Sequence, residues 1–216
     1  MTALIRYQAA VLLRAHRWVG PVLAYATLLA FVGDRQPLSD GLDWSAAALV
    51  PAAAWLTRNM LTAQPAPARA CVAVAGGPHR AHLAALLTSL AAGAVLALAG
   101  TGYEVVRCAL PTTPARLAAA LAGGLATTLI CLLVGSAVGT LCNPPLVRHP
   151  AVALLATIGL IVLALAADVS PANAALRGHG GLPASPGWVT GLPLLLAALL
   201  AALSWLASTL LAARRG

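Results

Sequence analysis

The sequence predicts an all-α integral membrane protein, with six transmembrane helices preceded by an N-terminal amphipathic interfacial helix and residues 1–216 forming one transmembrane domain. Three observations carry that expectation. First, 8% of the 216 residues are charged and 61% are hydrophobic, whereas a water-soluble domain carries about 25% charged residues. A chain this poor in charge cannot cover a water-facing exterior, so most of its surface must meet lipid. Second, the apolar runs approach about twenty residues, enough for a helix to cross the ~30 Å hydrocarbon layer. They lack the alternation over about ten residues that marks a transmembrane barrel strand. Third, the arginines fall unevenly between the polar connections.

Residues 3–17 read as the interfacial helix. At about 100° per residue, Arg6, Arg14 and Arg17 share an arc of roughly 80°, and Leu4, Ile5, Val11 and Leu12 share another of roughly 120°. Such a helix lies in the membrane surface with its arginines toward anionic headgroups, and Trp18 suits that boundary. Gly20-Pro21 is expected to turn the chain into the bilayer. The first span is 19–33, followed by a polar loop, DRQPLSDGLD, holding Asp34, Asp40 and Asp43. The second span is 44–63; Pro51 within it removes a backbone donor and predicts a kink.

The polar interruption QPAPARACVAVAGGPHRAH, residues 64–82, separates the second span from the third. Its prolines and the Gly76-Gly77 pair break a continuous helix, although 68–75 is compatible with a short helix along the membrane. It carries Arg69, Arg80, His79 and His82 and no acid. The third span is 83–103, with Glu104 and Arg107 marking its exit. The fourth, 117–141, contains Gly135 and Gly139 one turn apart, a spacing that allows close helix approach. The fifth is 151–167. The sixth, 188–212, follows a longer connection.

Six spans leave both termini on one side. With the termini in the cytoplasm, Arg6, Arg14, Arg17, Arg58, Arg69, Arg80, Arg148, Arg214 and Arg215 face inward, against Arg35, Arg107, Arg116 and Arg177 outward. That excess fits the positive-inside rule. All five acids, Asp34, Asp40, Asp43, Glu104 and Asp168, then fall outside.

The residue inventory narrows the chemistry. The chain has 13 basic residues, all arginine. Without lysine there can be no P-loop, so ATP, if used, is bound elsewhere. The positive charge belongs to the membrane topology, and nucleic acid is not an expected partner. Cys71, Cys108, Cys131 and Cys142 form no C-x-x-C pair and read as small apolar residues. No H-E-x-x-H or G-x-S-x-G occurs. Asp34, Asp40 and Asp43 read as solvated loop acids, and His79 and His82 as members of a solvated loop. No catalytic, cofactor-binding or metal-binding residue is assigned, and no cleavable signal pattern is present. With no ionisable group at mid-membrane, ion-coupled transport is disfavoured.

The segments LIRYQAAVLLRAHRWVGPVL (4–23) and WLTRNMLTAQPAPARACVAVAGGPHRAHLAALL (55–87), the six compact spans and the longer outer connection together resemble the permease subunit of an ATP-binding-cassette (ABC) exporter of the type-2 membrane-domain class, small actinobacterial type. The resemblance covers nearly the whole chain. It implies a bacterial plasma-membrane protein in which two permease subunits, identical or different, pair with two separate ATPase subunits that hold ATP and magnesium. Carried over by position, the ATPase-coupling residues are Gln64, Pro65, Ala68, Arg69, Arg80 and His82. Relatives often carry an acid where this chain has Gln64, which implies a neutral and weaker contact here. The alternatives are a non-enzymatic membrane accessory or immunity protein, and an ion-coupled secondary transporter.

Overall fold

In a computed structural model the protein is a bundle of helices, described over residues 1–31, 36–143, 146–147, 149–177 and 188–215. The elements are α1 (Thr2–Arg14), α2 (Val19–Ala30), α3 (Leu38–Leu61), α4 (Ala66–Gly76), α5 (Pro78–Arg107), α6 (Pro114–Leu141), α7 (Pro150–Ala166), α8 (Pro171–Arg177) and α9 (Trp188–Arg215). Among the described residues no strand forms; a single bridge joins Pro37 to Ala109.

Four segments are long and apolar enough to cross a bilayer: α5, α6, Pro150–Arg177 and Gly191–Leu211 within α9. A multi-pass membrane protein follows from them. The expected first two spans differ from these four. Helix α2 has 12 residues, about 18 Å at 1.5 Å per residue. Helix α3 has 24 residues, but Asp40, Asp43 and Arg58 lie within it.

Helix α3 is nevertheless the centre of the bundle. It packs against α2, α5, α6, α7 and α8 and buries side chains around its circumference, among them Leu42, Ala46, Leu49, Val50, Ala53 and Leu56. Its closest neighbour is α6. A Cβ at Gly135 would stand 2.6 Å from the Val50 carbonyl oxygen, and one at Gly139 would stand 2.6 Å from that of Ala54. Both glycines therefore let two backbones approach to a distance that no side chain permits. One apolar cluster forms where Val50, Ala54, Ile130, Val134 and Val138 meet, and another gathers Tyr25, Leu29, Leu49, Leu56 and Leu96. Thr57 of α3 and Ser89 of α5 are hydrogen-bonded at 3.3 Å, and Trp205 Nε1 of α9 donates to Ser136 Oγ at 3.1 Å.

Several boundaries depart from the sequence expectation, each for a local reason. The turn after α1 occurs at His16, whose φ is 53°, a left-handed conformation in which histidine is enriched. Gly20 and Pro21 instead begin α2, where proline's missing N–H leaves no helical bond unmade. Asp40 and Asp43 are not loop residues: α3 starts at Leu38, straight after Pro37, and Asp40 sits in its first turn, where the helix dipole favours an acid. The interruption at 64–82 is not one loop. It is α4 followed at once by α5, joined by Gly77 at φ 83°. Proline at the first position of α5 is pre-organised for helix, so Arg80 and His82 belong to α5's opening turns. At its other end α5 runs on to Arg107, and Glu104 is 1% exposed inside the protein rather than at a solvated exit.

Candidate coupling site

The sequence-assigned residues gather at one end of the bundle, around the α3–α4–α5 corner. Helix α1 lies along α5 with Leu12 buried. Leu4 reaches α4's last residue: a Cβ at Gly76 would be 3.1 Å from Leu4 Cδ1. Gln64, half-buried, donates through Nε2 to Oε1 of Gln8 at 3.2 Å, and Gln8 is 4% exposed. Just inside that contact, Asn59 Nδ2 donates to the Arg17 carbonyl at 2.7 Å and Arg17 Nη1 donates to the Thr62 carbonyl at 3.1 Å. The α1–α2 turn is thus stitched to the C-terminus of α3, satisfying a carbonyl that the helix end leaves free.

The remaining candidates divide by environment. Pro65 and Arg80 are exposed and Ala68 is half-buried. The side chain of Arg69, on α4, lies outside the described residues. His82 departs from the solvated-loop expectation: it is half-buried, and its Nε2 is hydrogen-bonded to Ser208 Oγ of α9 at 2.6 Å. It ties α5 to the last helix. Arg6, Arg14 and Arg17 are exposed and Trp18 is half-buried, packed on the cluster around Tyr25 and Leu56. Among the described residues Arg17 donates one side-chain hydrogen bond, to the Thr62 carbonyl.

Electrostatically this end is one-sided. No acid occurs in 1–31 or 44–103, so these segments, with Arg6, Arg14, Arg17 and Arg80, carry positive charge only. Such charge attracts anionic lipid or an acidic protein surface. Among the described residues no group of three or more His, Cys, Asp or Glu could hold a metal ion, and all four cysteines are free.

Two participants were not assigned from sequence, Gln8 and Ser208. Gln8 had a visible signal. At about 100° per residue it falls inside the arc of Leu4, Ile5, Val11 and Leu12, and an amide at the centre of an apolar face needs a partner. Ser208 had none, because its partner is 126 positions away. No family model, curated protein or solved structure matches the chain.

Proposed function

We propose that the chain is the membrane-spanning permease subunit of an ATP-driven exporter of the type-2 ABC class. It acts in a bacterial plasma membrane with a second permease subunit and separate ATPase subunits that bind ATP and magnesium. Six crossings are proposed, through α2, α3, α5, α6, α7 and α9, with α1 in the cytoplasmic interface and both termini cytoplasmic. The observation that carries the reading is the Gln8–Gln64 contact. It links the amphipathic α1 to the start of the α4 corner, so a push on α4 is felt by α1 and by two bundle helices, α3 and α5. An ATPase docked on α4 would move the bundle through those links. Catalysis is left to that partner, since the chain has no lysine for a P-loop.

The test is co-purification. The chain is co-expressed with the Walker-A-bearing ATPase of its own genetic neighbourhood and isolated in detergent. Replacing Arg69 and Arg80 by Glu is expected to lower ATPase recovery at least several-fold. Arg80 is exposed, so folding should change by only about 0.5 kcal/mol. Unaltered recovery, or no ATPase in the wild-type preparation, overturns the reading.

A further inference from the structure

At the opposite end of the bundle, polar groups gather that the coupling scheme does not use. Glu104, in the last turn of α5, is 1% exposed. One of its oxygens, Oε2, accepts the Cys108 thiol at 3.3 Å. The other, Oε1, is buried without a hydrogen-bond partner, and so are the Tyr25 hydroxyl and Gln36 Nε2. Tyr25 is 2% exposed, and its hydroxyl presses against Gly100, one turn before Glu104 on the same helix. Ser45, whose hydroxyl donates to the Leu42 carbonyl, stands close to Tyr25 without meeting hydrogen-bond geometry.

Gly41 of α3 closes the group. A Cβ there would stand 2.5 Å from Cys108 Sγ, 2.8 Å from Glu104 Oε2 and 3.5 Å from Gln36 Nε2. Only a residue without a side chain lets those three ends converge on α3. The cluster thus draws on α2, on α3 with the segment just before it, and on α5 with the residue that follows it. Burying a carboxylate with a free oxygen is costly unless a positive charge meets it. Among the described residues Glu104 has no ion pair. Arg107, three residues on, donates through Nη1 to the Leu29 carbonyl and to the Tyr103 hydroxyl, and its guanidinium lies 4.9 Å from the Tyr103 ring centre. Arg107 and Asp40 are both close enough to act on the Cys108 thiol, in opposite directions.

We propose that Glu104, Tyr25 and the Gln36 amide form a buried site for one monovalent metal cation, with Glu104 supplying the charge and the Tyr25 hydroxyl an oxygen ligand. The Gln36 amide contributes its oxygen when turned end for end. The site goes beyond the exporter reading and does not depend on it. Its ligands span α2, α5 and the lead-in to α3, so a bound cation clamps the outer ends of these elements.

The test is thermal unfolding of the purified full-length chain in detergent, followed by tryptophan fluorescence. Titrations use sodium chloride or potassium chloride against choline chloride at equal ionic strength. One alkali ion is expected to raise Tm by several degrees, the rise growing with the logarithm of its concentration above Kd. Glu104→Gln should abolish the response. Should that variant fail to fold, Tyr25→Phe serves instead: it removes a hydroxyl that makes no hydrogen bond among the described residues, and should weaken the apparent affinity several-fold. Melting that is the same in alkali and choline salts overturns the site, as does an alkali response unchanged in both variants.

Discussion

Glu104 and Gln8 occupy equivalent places in their helices, polar residues inside a buried stripe, and neither could be weighed from composition. Along α5 the buried positions run Gly93, Leu96, Ala97, Gly100, Thr101 and Glu104, a three- and four-residue spacing that the acid simply continues. The helical periodicity of Glu104 was therefore legible. Its burial was not, because that depends on Gly41, which is 63 positions away in the chain and makes room for it. The same local environment predicts the behaviour of Cys108. Burial first, then the hydrogen bond to Glu104 and the nearby negative charge, push its thiol up to about 11 from the ordinary value of 9.0. The reactive thiolate is accordingly scarce at neutral pH. Maleimide labelling at pH 8, resolved by peptide mass spectrometry, should modify the exposed Cys71 well before Cys108. With iodoacetamide, which survives alkaline conditions better than maleimide, the gap should narrow as the pH rises toward 11 without closing, since burial still limits access. In Glu104→Gln it should narrow without vanishing, since burial is the larger cause and remains.

Among elements, α3 and α6 show where hydropathy misleads. The helix most deeply set in the bundle is absent from the segments that qualify as spans by composition, because its polar residues sit near its ends and its middle is largely alanine. By contrast Pro150–Arg177, the most hydropathic segment, has only 11% of its apolar window buried. Hydropathy reports contact with lipid, whereas the bundle's centre is built from small residues that let backbones touch. The glycine pair in α6 was legible by its spacing, but not its partner. Alanine at Gly139 should destabilise the protein by about 1–3 kcal/mol, because the added methyl meets backbone oxygen that cannot turn aside. Alanine at Gly159 of α7, where nothing lies within 4 Å of the new Cβ, should be neutral or stabilise by up to about 1 kcal/mol. Paired thermal melts in one detergent check the contrast. The ion pair between Asp168 and Arg177, at 2.8 Å with both side chains well exposed, contributes little by comparison.

Across the whole molecule, among the described residues, Arg6, Arg14, Arg17 and Arg80 lie at one end of the bundle, where Gln8 meets Gln64 and His82 meets Ser208. Asp40 and Glu104 lie at the other, where Gln36, Pro37 and Ala109 pair, with Arg107 beside the acids. The count of arginines along the chain gives an expectation of sidedness; which helices form the interior was decided by packing that no linear pattern displays. A reporter fused after Gly216 and another fused before Met1 should both signal from the cytoplasm. Opposite signals from the two fusions would require an odd number of crossings and remove the proposed topology.

The joint at Gly77 has a mechanical consequence. Its backbone is left-handed, and nothing lies within 4 Å of the place a Cβ would take, so the angle between α4 and α5 is set by the packing of the two helices on each other rather than by side chains at the joint. From that joint α5 extends about 40 Å to Glu104 at 1.5 Å per residue. A tilt of about 5° at one end of a rigid rod of that length sweeps the other through about 3.5 Å, enough to break or make the contacts around Gly41. Helix α5 thus joins the basic corner to the buried carboxylate as one continuous rod.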